Sequence, residues 1–149
     1  LIKKIKKGTR VFFEGPYGTF TASRASRGHI ALIGGGVGIT PLRAIIDEIP
    51  ETTSMEVLFR ARSEVDLVLK QELDELSQSR HINVHYLVGS RSDYPINEFS
   101  IKKYAPRFAD SDVYVCGPES LIDDVINACK SAGIPKNRVH HEAFLYHAQ

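Results

Sequence analysis

Short apolar runs alternate along this chain with segments whose apolar residues recur every three or four positions. The apolar runs predict five β-strands, at residues 29–33, 55–59, 82–88, 112–116 and 138–144. The segments with helical periodicity predict four helices, at residues 42–49, 67–76, within 96–104 and at 121–130. Strands that alternate with helices favour parallel pairing with right-handed crossovers. We therefore predict an α/β fold: a doubly wound, parallel five-stranded sheet with helices on both faces.

The residues before the first predicted strand differ from the rest of the chain. Residues 10–14 form a short apolar run that ends in the turn sequence GPYG at residues 15–18. Residues 22–28 are small and basic, which is typical of a linker. The chain does not begin with Met, so we expect it to start inside a longer protein. Residues 29–149 would then form the main domain.

Composition and charge argue against several function classes. The length of 149 residues suits one domain, and 19 basic against 18 acidic side chains leave a net charge of +1. That balance argues against binding to nucleic acid. Two cysteines and six histidines show no metal-ligand spacing, so we predict no metal site. No apolar run approaches the roughly 18 residues that cross a bilayer, so we predict no membrane segment in this chain.

A glycine-rich loop joins the first predicted strand to the first predicted helix. Residues 34–41 read GGGVGITP. Glycines let a ligand approach the backbone, and a helix start offers N–H donors to a phosphate. The spacing departs from the usual dinucleotide fingerprint, because the third glycine position falls on Ile39 or Pro41. We predict a phosphate-binding loop, with Pro41 at the first helical position. The alternative is a tight strand-to-helix turn.

Cationic side chains follow the second and third predicted strands. Ser90 and Arg91 come at the end of the third strand, and Arg60 and Arg62 follow the second. An arginine with a hydroxyl can bind a phosphate dianion, which at this place in a dinucleotide fold is the 2′-phosphate of NADPH. We expect no acid at the strand end to bind a ribose hydroxyl instead, because the nearest acids, Asp93 and Glu98, lie further along the chain. The alternative is a polar loop with solvated cations.

The fourth predicted strand ends in a cysteine. Cys116 is followed by Gly117-Pro118, which turn the chain away at once. Ligands bind beyond the carboxyl ends of parallel strands, so Cys116 should face the same crevice as Thr40. No basic residue neighbours Cys116 in the sequence, so we do not expect a nucleophilic thiolate. We interpret Cys129, inside the last predicted helix, as a small buried hydrophobe.

Five motifs, in this order, resemble the ferredoxin–NADP reductase superfamily over essentially the whole chain. They are Gly15-Pro16-Tyr17-Gly18, Gly36-x-Gly38-x-x-Pro41, Ser90-Arg91, Cys116-Gly117-Pro118 and Glu142-Ala143-Phe144. Residues 114–118 and 140–144 together are most similar to the ferric-reductase-like or NADPH-oxidase-like branch. The resemblance implies a Rossmann-like NAD(P)-binding domain at 29–149. It also implies that residues 1–21 are the end of a flavin-binding β-barrel, joined to that domain by the linker at 22–28.

The resemblance also implies which residues bind the coenzyme. The implied contacts are Gly35, Gly36, Val37, Gly38, Ile39, Thr40, Pro41, Arg60, Arg62, Ser90, Arg91, Cys116, Gly117, Pro118 and Phe144. The first strand's loop would hold the pyrophosphate and the nicotinamide ribose. Ser90 and Arg91 match the pair that binds the 2′-phosphate, which implies NADP(H) in preference to NAD(H). The aromatic residue that stacks on adenine is open between Tyr94 and Tyr104.

Three residues are implied at the point of hydride transfer, and a fourth beside it. The catalytic candidates are Cys116, Thr40 and Glu142. Cys116 resembles the cysteine that lies beside nicotinamide C4. Phe144 resembles the aromatic residue that shields the flavin ring, although residues 145–149 follow it and Tyr146 is the alternative.

The implied function is that of a flavin-dependent NAD(P)H oxidoreductase. Hydride would pass from NADPH or NADH to FAD or FMN, and electrons would go on singly to a haem, an iron–sulfur centre or a ferric chelate. Without the flavin domain, this fragment should be inactive. We expect a cytoplasmic location, with membrane anchoring of the intact protein left open. The alternative is a non-catalytic dinucleotide-binding sensor or regulatory module, which would need the phosphate loop but not Cys116 or Glu142.

Overall fold

A parallel sheet of five strands organises the residues that the computed structural model describes, namely 8–10 and 20–143. The strands are β1 (His29–Gly35), β2 (Ser54–Ala61), β3 (Ile82–Val88), β4 (Asp112–Gly117) and β5 (Val139–Ala143). The helices are α1 (Ile39–Glu48), α2 (Lys70–Ser79), α3 (Glu98–Tyr104) and α4 (Glu119–Ser131). The strand order is β3-β2-β1-β4-β5, and every neighbouring pair is parallel. The predicted α/β fold is confirmed.

Each face of the sheet buries its own apolar layer. On the face covered by α1 and α2, Leu32 and Tyr114 are fully buried. On the face covered by α3 and α4, Ile33 and Val115 are fully buried. The central strands β1 and β4 are therefore covered on both sides, which is why their sequences are continuous apolar runs and do not alternate.

The start of α1 differs from the sequence prediction. The 3₁₀ turn Gly36–Gly38 runs directly into the helix, which begins at Ile39. Pro41 is thus the third residue of α1 and not the first. Proline fits at this position because the N–H groups of the first helical turn have no acceptor within the helix.

The start of α2 also differs from the prediction. The helix begins at Lys70 and not at Leu67. Ser63 and Asp66 cap a separate 3₁₀ turn by reciprocal hydrogen bonds, and Leu69 then adopts a φ of +61° before the helix starts. Local side-chain bonds of this kind compete with helix formation and delay it.

The segment that precedes β1 is tied to β4. The backbone N–H groups of Ser26 and Arg27 donate to one carboxylate oxygen of the buried Asp112, at 2.6 and 2.7 Å. The hydroxyl of Tyr114 donates to the carbonyl oxygen of Thr21 at 3.1 Å. The residues predicted as a linker are therefore held against the amino-terminal end of β4, on the edge of the sheet opposite the glycine loop.

Three sequence predictions concern the barrel end, a membrane segment and a metal site. The predicted barrel end at residues 1–21 lies outside the described residues, apart from 8–10 and 20–21. Within the described part of the chain, no helix combines the length and the apolar character that a membrane span requires. The same residues contain no group of three potential metal-ligating side chains.

Replacing Asp112 by alanine is expected to lower the free energy of unfolding by about 2–3 kcal/mol, because two N–H donors lose a charged acceptor. Urea denaturation measures the loss. The control is Asp110→Ala, which removes an exposed carboxylate two residues away. Equal unfolding free energies for the two variants would show that Asp112 does not anchor the segment.

Candidate functional site

The loop that follows β1 and the loop that follows β4 meet at the point where the winding of the sheet reverses. β1 and β4 are neighbours, and the chain leaves each of them toward a different face. A Cβ on Gly35 would lie 3.2 Å from Cδ of Pro118, and one on Gly117 would lie 3.2 Å from the backbone nitrogen of Gly35. The Gly117 φ of +155° also suits glycine. Glycines at both positions therefore let the two loops touch, at the place where open α/β sheets bind ligands.

The glycines of the loop itself have two different roles. A Cβ on Gly38 would overlap the carbonyl group of Cys116, so α1 can start this close to β4 only with glycine there. Gly36 has a φ of +55°, and a Cβ at this position would meet no described atom within 4 Å. Gly38 thus serves packing, whereas Gly36 leaves open space beside the start of α1.

The start of α1 is suited to an anion. Its first turn carries no acidic side chain and no side-chain cap, so the helix dipole there is not neutralised from within the described residues. The hydroxyl of the exposed Thr40 donates to the carbonyl oxygen of Val37 at 2.9 Å, which leaves its oxygen able to accept a hydrogen bond. The side chain of Ile39 is fully buried, so only its backbone could contact a ligand.

Cys116 and Glu142 lie side by side at the carboxyl ends of β4 and β5. They are register partners, and partners in a parallel pair point to the same face. The Cys116 side chain is fully buried in the apolar layer under α1, so it lies on the same face of the sheet as α1 but does not line an open crevice with Thr40. Burial, together with the charge of the exposed Glu142, raises the pKa of the Cys116 thiol to about 12. Cys116 is therefore a neutral thiol near pH 7.

The arginine side chains that were predicted to follow β2 and β3 form a second group of candidate site residues. Arg60 is the register partner of Gly35 and lies next to the glycine loop. Burial and the nearby Arg91 lower the pKa of Arg60, while Asp124 opposes that shift. The guanidinium of Arg91 donates to a carboxylate oxygen of Asp124 in α4 at 2.6 Å. Arg62 is exposed and makes no ion pair among the described residues.

The expectation of no acid at the end of β3 is wrong. The chain turns after Ser90, and one carboxylate oxygen of Asp93 accepts hydrogen bonds from both the Ser90 N–H (2.8 Å) and the Ser90 hydroxyl (2.7 Å). The Ser-x-x-Asp spacing is a signal that could have indicated this turn. The partner of Arg91 had no such signal, because Asp124 is 33 residues away in sequence.

The two aromatic candidates line the same cavity, but Tyr94 lies nearer the end of β3. Tyr94 lies at the end of β3, where its ring edge would be 3.3 Å from a Cβ on Gly89. Tyr104 ends α3 and packs beside His85 with 5.3 Å between ring centroids, so it lies away from the carboxyl edge of the sheet. Tyr94 is therefore the better-placed residue for an adenine. Phe144 and Tyr146 lie outside the described residues.

The described residues fit an extended, anionic dinucleotide. The open space at Gly36 and the start of α1 suit a pyrophosphate, while Arg91 beyond β3 and Arg60, which lies within β2 and not after it as predicted, suit further phosphate oxygens. The neutral Cys116 thiol is fully buried beneath this part of the edge, at the end of β4. These parts share one edge of the sheet, so a single ligand can contact all of them.

Comparisons with known proteins agree with this fit. Residues 32–127 match the model of the oxidoreductase NAD-binding domain family. The chain is 33% identical over 141 residues to the plasma membrane-associated coenzyme Q6 reductase PGA3 of Saccharomyces cerevisiae, covering 87% of this chain and 45% of that protein. It is 36% identical over 132 residues to NADH-cytochrome b5 reductase 2 of Yarrowia lipolytica, covering 78% and 45%. The chain thus spans less than half the length of these relatives.

A solved structure shows the same fold. The flavohemoglobin of Malassezia yamatoensis, solved with bound FAD and heme, matches this chain with a TM-score of 0.67. The two are 23% identical, and the match covers 87% of this chain and 36% of the flavohemoglobin. At this level of identity the likeness concerns the fold alone.

Gly38→Ala is expected to lower the free energy of unfolding by about 1–3 kcal/mol, because the added methyl group meets the backbone of Cys116. The control is Gly28→Ala, where a Cβ would have no described atom within 4 Å. Chemical denaturation of both variants measures the difference. If Gly38→Ala were as stable as Gly28→Ala, the close packing of the loop on β4 would be refuted.

Proposed function

Because this chain belongs to the oxidoreductase NAD-binding domain family, we propose that it binds NAD(P)H and positions it for hydride transfer to a flavin. The observation that carries the proposal is the convergence of the glycine loop with Cys116 and Glu142 at one edge of the sheet. When bound, the nicotinamide supplies the hydride and the flavin accepts it. The flavin, FAD or FMN, would be held by a second domain of the same protein.

The chain's own residues bind and orient the coenzyme. The open backbone at Gly36 and the start of α1 hold the pyrophosphate. The Thr40 oxygen, whose proton is donated to Val37, accepts a hydrogen bond from a ribose hydroxyl. Cys116, a neutral thiol buried at the end of β4, adds neither a charge nor a nucleophile beneath the ring, and the exposed Glu142 lies beside it. A sensor module would need only the phosphate loop, so Cys116 and Glu142 favour the reductase.

We propose that NADPH is preferred over NADH. Ser90 and Arg91 then bind the 2′-phosphate, and Arg60 adds positive charge beside them. Ser90 and Arg91 follow β3, which is separated by β2 from β1, the strand that leads into the glycine loop. This position supports the assignment.

The acceptor is proposed to take electrons singly, as a haem, an iron–sulfur centre or a ferric chelate does. Support comes from relatives whose names include cytochrome b5 and from the flavohemoglobin, whose structure contains both FAD and heme. The ferric-reductase-like branch belongs to the same proposal. The chain alone is proposed to be inactive, since the catalytic cycle requires a flavin next to Cys116.

Arg91→Ala is expected to weaken NADP⁺ binding about tenfold and to leave NAD⁺ binding within twofold, because only NADP⁺ brings the phosphate that Arg91 contacts. Isothermal titration of the chain with both nucleotides measures the two dissociation constants. Arg107→Ala, an exposed arginine at the opposite edge of the sheet, is the charge-matched control. Equal loss for both nucleotides would remove the 2′-phosphate role from Arg91.

Cys116→Ala, in the intact protein with its flavin domain, is expected to slow flavin reduction at least tenfold while changing coenzyme affinity less than threefold, since the side chain positions the ring. Stopped-flow measurement of flavin reduction gives both quantities. Cys129→Ala is a matched control, because Cys129 is equally buried but lies in the apolar layer of the opposite face. Unchanged flavin reduction in Cys116→Ala would place Cys116 outside the active site.

A further inference from the structure

We infer that Asp93 and Asp124 are specificity-determining residues, because each carboxylate holds a donor that the 2′-phosphate of NADPH requires. The two residues thereby reduce, without reversing, the proposed preference for NADPH over NADH. The inference rests on the proposed function, since it concerns the same nucleotide site.

Asp93 engages both donors that Ser90 offers. Its Oδ2 accepts hydrogen bonds from the Ser90 N–H and from the Ser90 hydroxyl. The backbone N–H of Asp93 donates in return to the Ser90 hydroxyl oxygen at 3.2 Å. The hydrogen bonds from Ser90 lower the pKa of Asp93, so the carboxylate is charged near pH 7. A phosphate that binds Ser90 must displace this charge or lie next to it.

Asp124 engages the cation that the phosphate requires. Its Oδ2 accepts from Nη2 of Arg91 at 2.6 Å, and its side chain, 29% exposed, is better shielded from water than the arginine, at 58%. Asp124 also acts on Arg60, where its charge opposes that of Arg91. One carboxylate of α4 therefore offsets much of the positive charge beyond β2 and β3.

The two coenzymes respond differently to this arrangement. A phosphate monoester brings a charge of about −1.5 to −2, which both carboxylates repel. A ribose 2′-hydroxyl brings no charge and is a donor. Oδ1 of Asp93 accepts no hydrogen bond from another described residue, so it can accept one from that hydroxyl. NADH can thus bind with both carboxylates in place, whereas NADPH must compete with them for Ser90 and Arg91.

The test uses Asp93→Asn, Asp124→Asn and the double variant of the full chain. Asparagine keeps one acceptor oxygen for Ser90 or Arg91, removes the charge and replaces the other oxygen with an amide donor. We expect each single variant to bind NADP⁺ about threefold more tightly and the double variant about tenfold, as for partly exposed charges. NAD⁺ affinity should stay within twofold for Asp124→Asn and fall slightly for Asp93→Asn, where an amide NH₂ replaces the oxygen that accepts from the ribose hydroxyl. The variants should likewise gain affinity for 2′-phospho-AMP and not for AMP. Added salt should reduce this gain.

Asp123→Asn is the matched control. This variant changes the net charge by the same amount as Asp124→Asn, at the neighbouring residue. Asp123 is exposed and makes no ion pair among the described residues. It should leave the ratio of NADP⁺ to NAD⁺ affinity as in the parent chain.

The outcomes separate this inference from the proposed function. If both nucleotides bind the parent chain and the double variant leaves their affinity ratio unchanged, or shifts it toward NAD⁺, the inference is overturned and the proposed function stands. If neither nucleotide binds the folded parent chain at millimolar concentration, the proposed function fails, and the inference fails with it.

Discussion

The contact between Gly38 and the Cys116–Gly117 backbone is the constraint on which the rest of the site depends. It brings the first turn of α1 against the end of β4, and this proximity places Thr40 and Cys116 on one face of the sheet. A side chain at residue 38 would push α1 away from β4. The start of α1 and the end of β4 would then no longer lie side by side. The absence of a Cβ at residue 38 therefore determines whether a single ligand can contact the ends of both β1 and β4.

The apolar layers hold this contact in place. Ile39 and Leu42 of α1 are fully buried against the sheet, while Leu121 of α4 packs close to Gly35 and Gly117 from the other face. Closely packed interiors resist small displacements, so the two loops cannot separate without disturbing both layers. The anchoring of residues 26 and 27 by Asp112 acts at the opposite edge of the sheet, where it fixes the entry of the chain into β1 without restricting the site.

The chain as a whole is nearly neutral, but charge is distributed unevenly within the site. The start of α1 has no acidic neighbour in its first turn, and it remains attractive to a pyrophosphate. Beyond β3, by contrast, Arg91 is paired with Asp124, and Ser90 is bound by Asp93. The part of the site common to both coenzymes is therefore open to an anion, whereas the part that distinguishes them is already occupied by carboxylates. Affinity and specificity have separate physical origins in this chain.

Periodicity along the chain was sufficient to predict the order of strands and helices, because the buried strands β1 and β4 are continuous apolar runs and α4 shows a regular apolar stripe. Local capping was harder to predict. The 3₁₀ turns before α1 and α2 depend on glycine packing and on the Ser63–Asp66 bonds, which move the helix starts by a few residues. The strand-end rule was enough to select the glycine loop, Ser90-Arg91 and Cys116 as site candidates.

The sequence by itself determined which residue types stand at the strand ends, because strand and helix periods are local properties of the chain. Only the tertiary structure decided what these residues face. The pairing of Arg91 with Asp124, the contact of Gly38 with Cys116 and the register of Cys116 with Glu142 join residues 26 to 78 positions apart. Such contacts arise when α1 and α4 pack on opposite faces of one sheet, and no local pattern encodes that distance.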